Sequence, residues 1–181
     1  MPKLTPRSKN KGILQLKTRK KIYETVKRFA GCHFKEIVRK SNLSNGSASY
    51  HLHYLIKHNL IKQEKKDNSV FYFPIDFKSE NSKLLSLLRQ KSMRNIILFI
   101  LTNSNCGHSQ IAAFTKLSPS TVTWHLNKLE EEKIIVSKRI GRSKNYNLLV
   151  SNEEVINLLI TYKESFFDSL VDNILKTWDF S

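Results

Sequence analysis

The feature that most constrains this chain is an internal repeat. Residues from about Arg19 to Pro74 align without a gap onto Met93 to Leu148, and His51 falls on His125 at an offset of 74 residues. Many apolar residues coincide along the alignment, among them Ile22 with Ile96, Leu55 with Leu129 and Ile61 with Ile135, and so do the two cysteines. The hydrophobic spacing of each copy predicts three helices followed by two short strands. We therefore expect one structural unit that is used twice.

The repeat also predicts how the 181 residues are divided, since each copy is long enough to form a small domain. We expect a basic N-terminal arm at residues 1–18, a first domain at 19–76 and a linker helix at 77–91. A second domain follows at 92–150, and a C-terminal amphipathic helix occupies 151–181. The arm either touches phosphate or is a solvated tail.

The charge of the chain is strongly positive and unevenly distributed. The net charge is +16, with 18 Lys/Arg against 6 Asp/Glu in residues 1–80 and 11 against 3 in residues 81–150. Residues 151–181 reverse this balance, with 2 against 6. Two basic domains suit a polyanion, and duplex DNA, with one charge per roughly 1.7 Å, is the commonest such partner. The acidic tail is expected to stay off that surface.

Several functional classes find no support in the sequence. Met1–Lys21 has no apolar stretch of the kind found in secretory signals, and the apolar run Ile96–Leu101 is far shorter than the roughly 20 residues that a membrane span needs. Cys32 and Cys106 are expected to be small core residues, because no closely spaced Cys/His ligands accompany them. Since neither a secretory signal nor a membrane span is found, we expect a cytoplasmic protein. Since a phosphate loop, a paired-carboxylate site and a metal-ligand cluster are also missing from the sequence, we expect that it is not an enzyme and uses no metal or cofactor.

The first unit is expected to begin with a helix at about Lys20–Phe29, which Gly31 ends, followed by a short second helix. Ser44 is placed to cap a third helix, because serine oxygens accept from the first backbone N–H groups of a helix. Strands at Ile61–Lys66 and Ser69–Pro74 are then expected to form a hairpin. The inward side of the third helix is expected to be Ala48, Leu52 and Leu55.

The second unit repeats this pattern with clearer signals. Helices are expected from about Ser92 to Asn103 and from His108 to Phe114. Ser118-Pro119 then marks the start of the third helix, because proline at the first helical position loses no hydrogen bond. The inward side of this helix is expected to be Val122, Leu126 and Leu129. Its hairpin is expected at Ile135–Ile140 and Ser143–Val150, with a turn at Gly141.

Three helices followed by a hairpin form the layout of a winged helix-turn-helix, in which the third helix is the recognition helix and the hairpin is the wing. The run LSPSTVTWHL at Leu117–Leu126 is similar to the recognition-helix signature of ArsR- and MarR-type winged helices. Leu43–Leu52, LSNGSASYHL, resembles it with Asn45-Gly46 at the helix start. From Arg19 to Val150 the chain resembles the tandem winged-helix transcription regulators of archaea. The cysteine-containing metal-sensing motif of many ArsR proteins is absent.

The fold class implied by pattern and resemblance is mainly α with small β-hairpin wings (α+β). It comprises two tandem winged helix-turn-helix domains and a C-terminal amphipathic helix. A recognition helix fits the roughly 12 Å major groove and presents side chains to base edges. The candidate DNA-binding residues of the first recognition helix are Ser44, Gly46, Ser47, Tyr50, His51 and Tyr54. Those of the second are Ser118, Ser120, Thr121, Trp124, His125 and Lys128.

Two of these expectations have alternatives. Trp124 either packs against a thymine methyl group or covers the domain surface. His51 and His125 either contact phosphate or are structural histidines at the junction of helix and wing.

The wings are expected to contribute unequally to DNA binding. A basic hairpin reaches phosphates or a narrow minor groove beside the recognition helix. The second wing carries Arg139, Arg142 and Lys144 without interspersed acidic residues, and the alternative role of that cluster is to increase solubility. The first wing carries Lys65 and Lys66 beside acidic residues, so we expect it to bind DNA more weakly.

The tail from about Asn152 to Trp178 carries an apolar stripe at helical spacing. Such a stripe has to be covered, either by the apolar linker helix of the same chain or by a second protomer. We favour a homodimer through this helix. The residues expected at the dimer interface are Leu159, Tyr162, Phe166, Leu170 and Ile174.

The sequence therefore predicts a sequence-specific double-stranded DNA-binding transcription regulator. Its recognition helices would enter the major groove, and its basic wings would contact the backbone or the minor groove. Its expected partners are double-stranded DNA, a second copy of the chain and, for an activator, the basal transcription machinery. The alternatives are a winged-helix scaffold for protein interactions in a transcription or replication assembly, and a non-specific architectural DNA binder.

Overall fold

The computed structural model describes residues 13–66, 68–141, 143–166 and 169–178, without the side chains of Lys66, Ser169 and Trp178. The chain separates into two compact units, Met1–Lys78 and Ser79–Ser181. Most of the N-terminal arm, together with Asp67 and Arg142 of the two wing turns, lies outside the described residues.

The described part of the first unit contains three helices and a hairpin. Helices α1 (Lys17–Arg28), α2 (Phe34–Ser41) and α3 (Asn45–Lys57) precede strands β1 (Ile61–Lys66) and β2 (Ser69–Pro74). The strands are antiparallel, with Ile61 opposite Pro74 and Lys66 opposite Ser69. The core includes Ile22, Val26, Ile37, Ala48, Leu52, Leu55 and Ile61.

Local sequence signals explain these element boundaries. Beyond the C-terminus of α1, Gly31 has a φ of 74°, a left-handed conformation that glycine adopts without steric cost. The backbone N–H of Ser47 donates to Ser44 Oγ at 3.3 Å, so the expected cap of α3 is present. Cys32 is buried and forms a β-bridge with Tyr72. It is a core residue at the edge of the hairpin.

The second unit is larger and contains the same arrangement of three helices and a hairpin. A short 3₁₀ turn at Ser79–Asn81 leads into its regular elements. The helices are α4 (Ser82–Leu88), α5 (Lys91–Thr102), α6 (His108–Thr115), α7 (Pro119–Glu131), α8 (Asn152–Thr161) and α9 (Ser169–Trp178). The strands are β3 (Cys106–Gly107), β4 (Ile135–Ile140) and β5 (Ser143–Leu148). They form one antiparallel sheet in the order β3-β5-β4.

The strongest sequence signals of this unit act as expected. The backbone N–H of Thr121 donates to Ser118 Oγ at 3.2 Å, and Pro119 occupies the first turn of α7. Gly141 has a φ of 61° at the tip of the wing. Strand β3 was not expected from the sequence, since two residues are too few to show an alternating pattern. Its Cys106 is buried, and burial raises the pKa of the thiol, which keeps it neutral.

The segments before and after the winged-helix part of the second unit differ from the sequence expectation. The linker helix α4 belongs to the second unit, where its four leucines are buried. The tail forms two helices, α8 and α9, separated by a 3₁₀ turn at Lys163–Ser165, and α9 contacts both α8 and α5. Helix α4 also contacts α5, and most residues of α5 are buried, as expected for a helix without an exposed polar stripe. Among the described residues, no helix has the length and apolar character that crossing a membrane requires.

Candidate nucleic-acid interface

The exposed side of α7 carries a large aromatic residue among small polar ones. Val122, Leu126 and Leu129 turn inward and are buried, whereas the side chain of Trp124 is 58% exposed. The Lys128 ammonium lies 5.5 Å from the centre of the Trp124 ring, within the range of a cation–π contact. An apolar ring and a cation therefore lie side by side on a surface that the core does not need.

The start of α7 is a cluster of hydroxyl groups. Ser118 Oγ lies 2.8 Å from Thr121 Oγ1 and 3.1 Å from Ser120 Oγ. Thr123 Oγ1 donates to the Pro119 carbonyl at 2.9 Å and lies 3.0 Å from His108 Nε2, which ties α7 to α6. The cluster is small enough for a groove edge to approach closely, and its hydroxyls are both donors and acceptors.

The exposed side of α3 also carries a large aromatic residue. Tyr50 is 63% exposed and occupies the position equivalent to Trp124. The centres of the Tyr50 and His51 rings lie 5.1 Å apart in an edge-to-face arrangement, against 5.0 Å for Trp124 and His125. A Cβ added to Gly46 would meet nothing within 4 Å, so the packing of the unit does not require glycine there. The two recognition helices therefore present an aromatic side chain at the same place.

Tyr54 differs from the other candidate residues of α3. The Arg19 guanidinium lies 3.6 Å from the centre of the Tyr54 ring, and the centre of the His58 ring lies 4.3 Å from that of Tyr54 in a tilted arrangement. Arg19 also donates to the Ile13 carbonyl at 3.0 Å. The ring of Tyr54 is thus engaged between α1 and α3, and it is partly buried. Its location fits a packing role better than a contact with bases.

The matched histidines lie on the inner side of their helices. His51 is 7% exposed and His125 is partly buried, and neither Nδ1 atom has a hydrogen-bond partner among the described residues. Burial lowers the pKa of both rings, and the neighbouring cations Arg19 and Lys128 lower the pKa of His51 and His125 further. Both imidazoles are therefore neutral at pH 7, which favours the structural role over a charged contact with phosphate.

The second wing holds its cations on an open surface. Arg139 and Lys144 face each other across the hairpin, and both side chains are exposed. Arg139 Nε donates to the Gly141 carbonyl at 3.4 Å, so the guanidinium lies at the tip. Arg142, the third cation of the expected cluster, is outside the described residues.

The first wing is less open. The ammonium of Lys62 donates to the Phe77 carbonyl at 2.6 Å and forms an ion pair with Glu64 at 3.5 Å, so it is held within the unit. Lys65 is exposed, and the side chain of Lys66 is outside the described residues. The acidic neighbour and the internal bonds agree with the expectation that this wing binds DNA more weakly.

Positive charge near the first wing lies on α2, which the sequence analysis did not single out. A groove of about 890 Å³ separates α2 from β2. His33, Lys35 and Arg39 line its helical side, together with one carboxylate, Glu36. The signal available in the sequence was the spacing of Lys35 and Arg39, which places both on one side of a helix. The equivalent residues of α6 are Ser109 and Ala113, which carry no charge.

The residues expected at a dimer interface are mostly inside the second unit. Leu159, Tyr162, Phe166 and Ile174 are buried, and Leu170 is partly buried. The buried Arg94 explains part of this arrangement, since its guanidinium donates to the Leu88 carbonyl at 2.7 Å and lies 5.5 Å from the Phe166 ring. The apolar stripe is therefore covered by the same chain, and a second copy is not needed to cover it.

No group of three or more metal-ligating side chains occurs among the described residues. The arrangement of exposed aromatic, hydroxyl and cationic side chains on α3, α7 and the second wing has the chemistry of a surface for duplex DNA.

Comparisons with protein families agree with the two-unit architecture. Residues 16–85 match a family described as an N-terminal HTH domain, and residues 89–136 match the winged helix-turn-helix DNA-binding family. The first match covers α1–α3, the first hairpin and the first half of α4, and the second extends from α5 into β4.

Two curated relatives are HTH-type transcriptional regulators. MJ1398 of Methanocaldococcus jannaschii is 31% identical over 144 residues, which cover 80% of this chain and 36% of the relative. YdfF of Bacillus subtilis is 32% identical over 71 residues, which cover 39% of this chain and 31% of the relative. The chain thus spans about a third of the length of the curated relatives that it matches.

Solved structures show a more distant similarity. HlyU from Vibrio cholerae has a TM-score of 0.41 at 18% identity, with 49% of this chain and 97% of that chain covered. The DIP2311 protein from Corynebacterium diphtheriae has a TM-score of 0.29 at 13% identity, with 72% of this chain and 26% of that chain covered.

Proposed function

This chain is a tandem helix-turn-helix protein homologous to an archaeal HTH-type transcriptional regulator, and we propose that it regulates transcription by sequence-specific binding to double-stranded DNA. The observation that carries the proposal is the pair of exposed aromatics, Tyr50 and Trp124, at equivalent points of the two recognition helices. Burying either ring in a groove would remove a large apolar surface from water, which neither unit does by itself.

The binding mechanism follows from what each surface offers. The small hydroxyl residues at the start of α7 allow the helix to enter the major groove, where Ser120 and Thr121 meet base edges. Trp124 packs against a thymine methyl group, which is the apolar feature of that groove. Arg139 and Lys144 contact phosphates or the minor groove beside it. The first unit uses Ser47 and Tyr50 in the same way.

Regulation would follow from occupancy of the operator. A bound chain blocks the promoter as a repressor, or contacts the basal transcription machinery as an activator. We place this activity in the cytoplasm, and the homodimer belongs to the same proposal. Because four of the five expected interface residues are buried, a dimer of the tail would use the solvent side of α8, where Ile160 is 53% exposed.

The proposal is tested by selection from a randomised duplex pool at two salt concentrations, followed by sequencing of the bound DNA. The wild-type chain is expected to enrich a motif, and a variant with Tyr50→Ala and Trp124→Ala is expected to lose part of it. Salt-dependent binding without enrichment would replace the proposal with an architectural DNA binder. Absence of binding would favour the protein-interaction scaffold.

A further inference from the structure

The first unit has a second positively charged surface, formed by residues that belong to neither α3 nor the wing. It is a groove of about 420 Å³ at α1 and the end of α2. We call it the α1 groove. The residues that line it are Lys17, Lys20, Lys21, Glu24, Thr25, Arg28, Phe29 and Lys40. Five cations face a single carboxylate there, so the groove is strongly positive.

Three of the four lysines that line the groove are not used by the fold, whereas Lys40 pairs with Glu36. Lys17, Lys20 and Lys21 are exposed, and within the part of the chain that the structure describes none of their ammonium groups has an ion-pair partner. Glu24 follows Lys20 by four residues, the usual spacing for a helical ion pair, yet no such pair forms. Their charge is available to a ligand.

The position of these cations on α1 is electrostatically unfavourable. Lys17 and Lys20 lie in the first turn of α1, which has no acidic residue and no side-chain cap at Leu16. The N-terminus of a helix carries partial positive charge, so cations there reduce its stability. A local arrangement that weakens the fold without an internal compensation is expected at functional surfaces. A bound anion would supply the missing compensation.

The α1 groove and the recognition surface have no residue in common. Helix α1 contributes Ile22 and Val26 to the core, α3 contributes Leu52, and the two helices pack against each other. The lysines are on the solvent side of α1, and Tyr50 is on the solvent side of α3. Because the lysines and Tyr50 share no contact and both lie away from the common core, we expect a duplex bound at α3 to leave the α1 groove accessible.

The chemistry of the lining favours a phosphate backbone over an acidic protein segment. The row of cations from Lys17 to Arg28 extends for about 16 Å along α1, at 1.5 Å per residue. Phe29 is the one large apolar side chain in the lining, and its ring is covered by the Lys40 ammonium at 3.5 Å. A peptide would therefore find no apolar anchor, whereas a duplex needs none.

We propose that the α1 groove binds the phosphate backbone of a second duplex segment without sequence preference, so that one chain holds two segments of DNA. This inference rests on the proposed function only for the first segment, which the recognition helices hold. It adds a bridging activity that sequence-specific binding alone does not provide.

The test measures capture of a second duplex. The selected duplex is fixed to beads and saturated with protein, and a fluorescent duplex of unrelated sequence is then added. The groove variant carries Lys17→Gln, Lys20→Gln and Lys21→Gln. The matched control carries Lys91→Gln, Lys133→Gln and Lys176→Gln, which removes the same charge from exposed lysines of the second unit. Circular dichroism checks folding, and the double variant Lys17→Gln, Lys21→Gln replaces any triple variant that fails to fold.

Wild type and control are expected to capture the fluorescent duplex, and the groove variant to capture at least tenfold less while its sequence preference is unchanged. The slope of the logarithm of the capture affinity against the logarithm of the salt concentration should decrease in magnitude by about 2 to 3, because three phosphate contacts are lost. Equal capture by groove variant and control would overturn the proposal, and so would absence of capture by wild type. Loss of capture in an Arg139→Ala, Lys144→Ala variant alone would assign the second segment to the wing instead.

A fluorescent polyglutamate tests the remaining possibility, which is that the groove binds an acidic protein segment. Binding of this probe to wild type but not to the groove variant, without capture of duplex, would assign the groove to an acidic protein segment and overturn the proposal. Failure of the selection experiment to enrich a motif would refute sequence-specific regulation, yet capture of unrelated duplexes would still test the groove.

Discussion

The two units share a frame but use the outer side of their first helix in opposite ways. In the first unit this side of α1 is exposed and charged, with Lys20 and Glu24 among its residues. The equivalent residues of α5 are Arg94 and Leu98, and both are buried in the second unit. The difference arises because α4 and α9 are additions to the second unit that pack against α5, whereas the described part of the first unit has no such helices.

The positive charge near the DNA-binding surface is also distributed differently. The first unit carries it on α2, at Lys35 and Arg39, and the second carries it on the wing, at Arg139 and Lys144. Each unit keeps its recognition helix and aromatic residue. The comparison teaches that the shared frame keeps the exposed aromatic residue in place, whereas the position of the exposed cations differs between the two copies.

The largest expected effect tests the difference in burial. Leu98→Ala should lower the free energy of unfolding of the second unit by about 2 to 5 kcal/mol, because it removes a buried side chain and leaves a cavity. Its matched control, Glu24→Ala, should change stability by no more than about 0.5 kcal/mol. Both tryptophans, Trp124 and Trp178, lie in the second unit. Urea unfolding followed by tryptophan fluorescence therefore measures Leu98→Ala, and circular dichroism measures the control. Equal effects of the two substitutions would refute the comparison.

The next effect concerns the second wing. Replacing Arg139, Arg142 and Lys144 with alanine should weaken binding to all duplexes and reduce the salt slope by about 3, since each cation accounts for about one phosphate. The corresponding variant of the first wing, Lys65→Ala with Lys66→Ala, should change the slope less. Fluorescence anisotropy across a salt series measures both. Binding of the triple variant with wild-type affinity would show that the wing does not contact DNA.

A smaller effect is expected from the cations of α2. Lys35→Ala with Arg39→Ala should reduce the salt slope by about 2 and leave the selected motif unchanged, because phosphate contacts carry no direct sequence information. Ser109→Ala, at the position equivalent to Lys35, serves as the control and should bind as wild type does. The same salt series applies. An unchanged slope in the double variant would remove α2 from the interface.

The smallest expected effect concerns a feature that the two units share, the histidine on the inner side of each recognition helix. Burial lowers the pKa of His51 and His125, so protonation is less favourable in the folded chain than in the unfolded one. Stability should therefore be complete above about pH 6.5, the unfolded pKa of histidine, and should fall as the pH decreases through the folded pKa. Urea midpoints at pH 7.5 and pH 5 should differ less for His125→Gln than for wild type. An equal difference would contradict the burial argument.

Local signals explain what the sequence predicted well. The caps at Ser44 and Ser118, the proline at position 119 and the turn glycine at position 141 act within a few residues, so their effect is visible in the sequence. The repeat supplied the rest of the architecture, because two copies of one pattern reduce the number of possible folds.

Long-range packing explains what the sequence did not predict. An apolar stripe shows that the tail needs a covering surface, but Leu159 and Phe166 do not reveal whether that surface belongs to the same chain or to a second one. Likewise, the position of Tyr54 on α3 gives no sign of the Arg19 guanidinium above its ring. The cations of α2 lie outside the recognition-helix signature, so that signature does not indicate them.

The most direct test of the central claim is photocrosslinking from the two matched aromatic positions. Tyr50 and, separately, Trp124 are replaced with p-benzoylphenylalanine, which is also a large aromatic side chain and suits an exposed position. After irradiation with the selected duplex, the crosslinked bases are mapped by primer extension. Both positions are expected to crosslink to bases at separate places in the motif, since each helix occupies its own stretch of major groove. Crosslinks from one position only would restrict recognition to one unit, and absence of crosslinks from both would contradict the account.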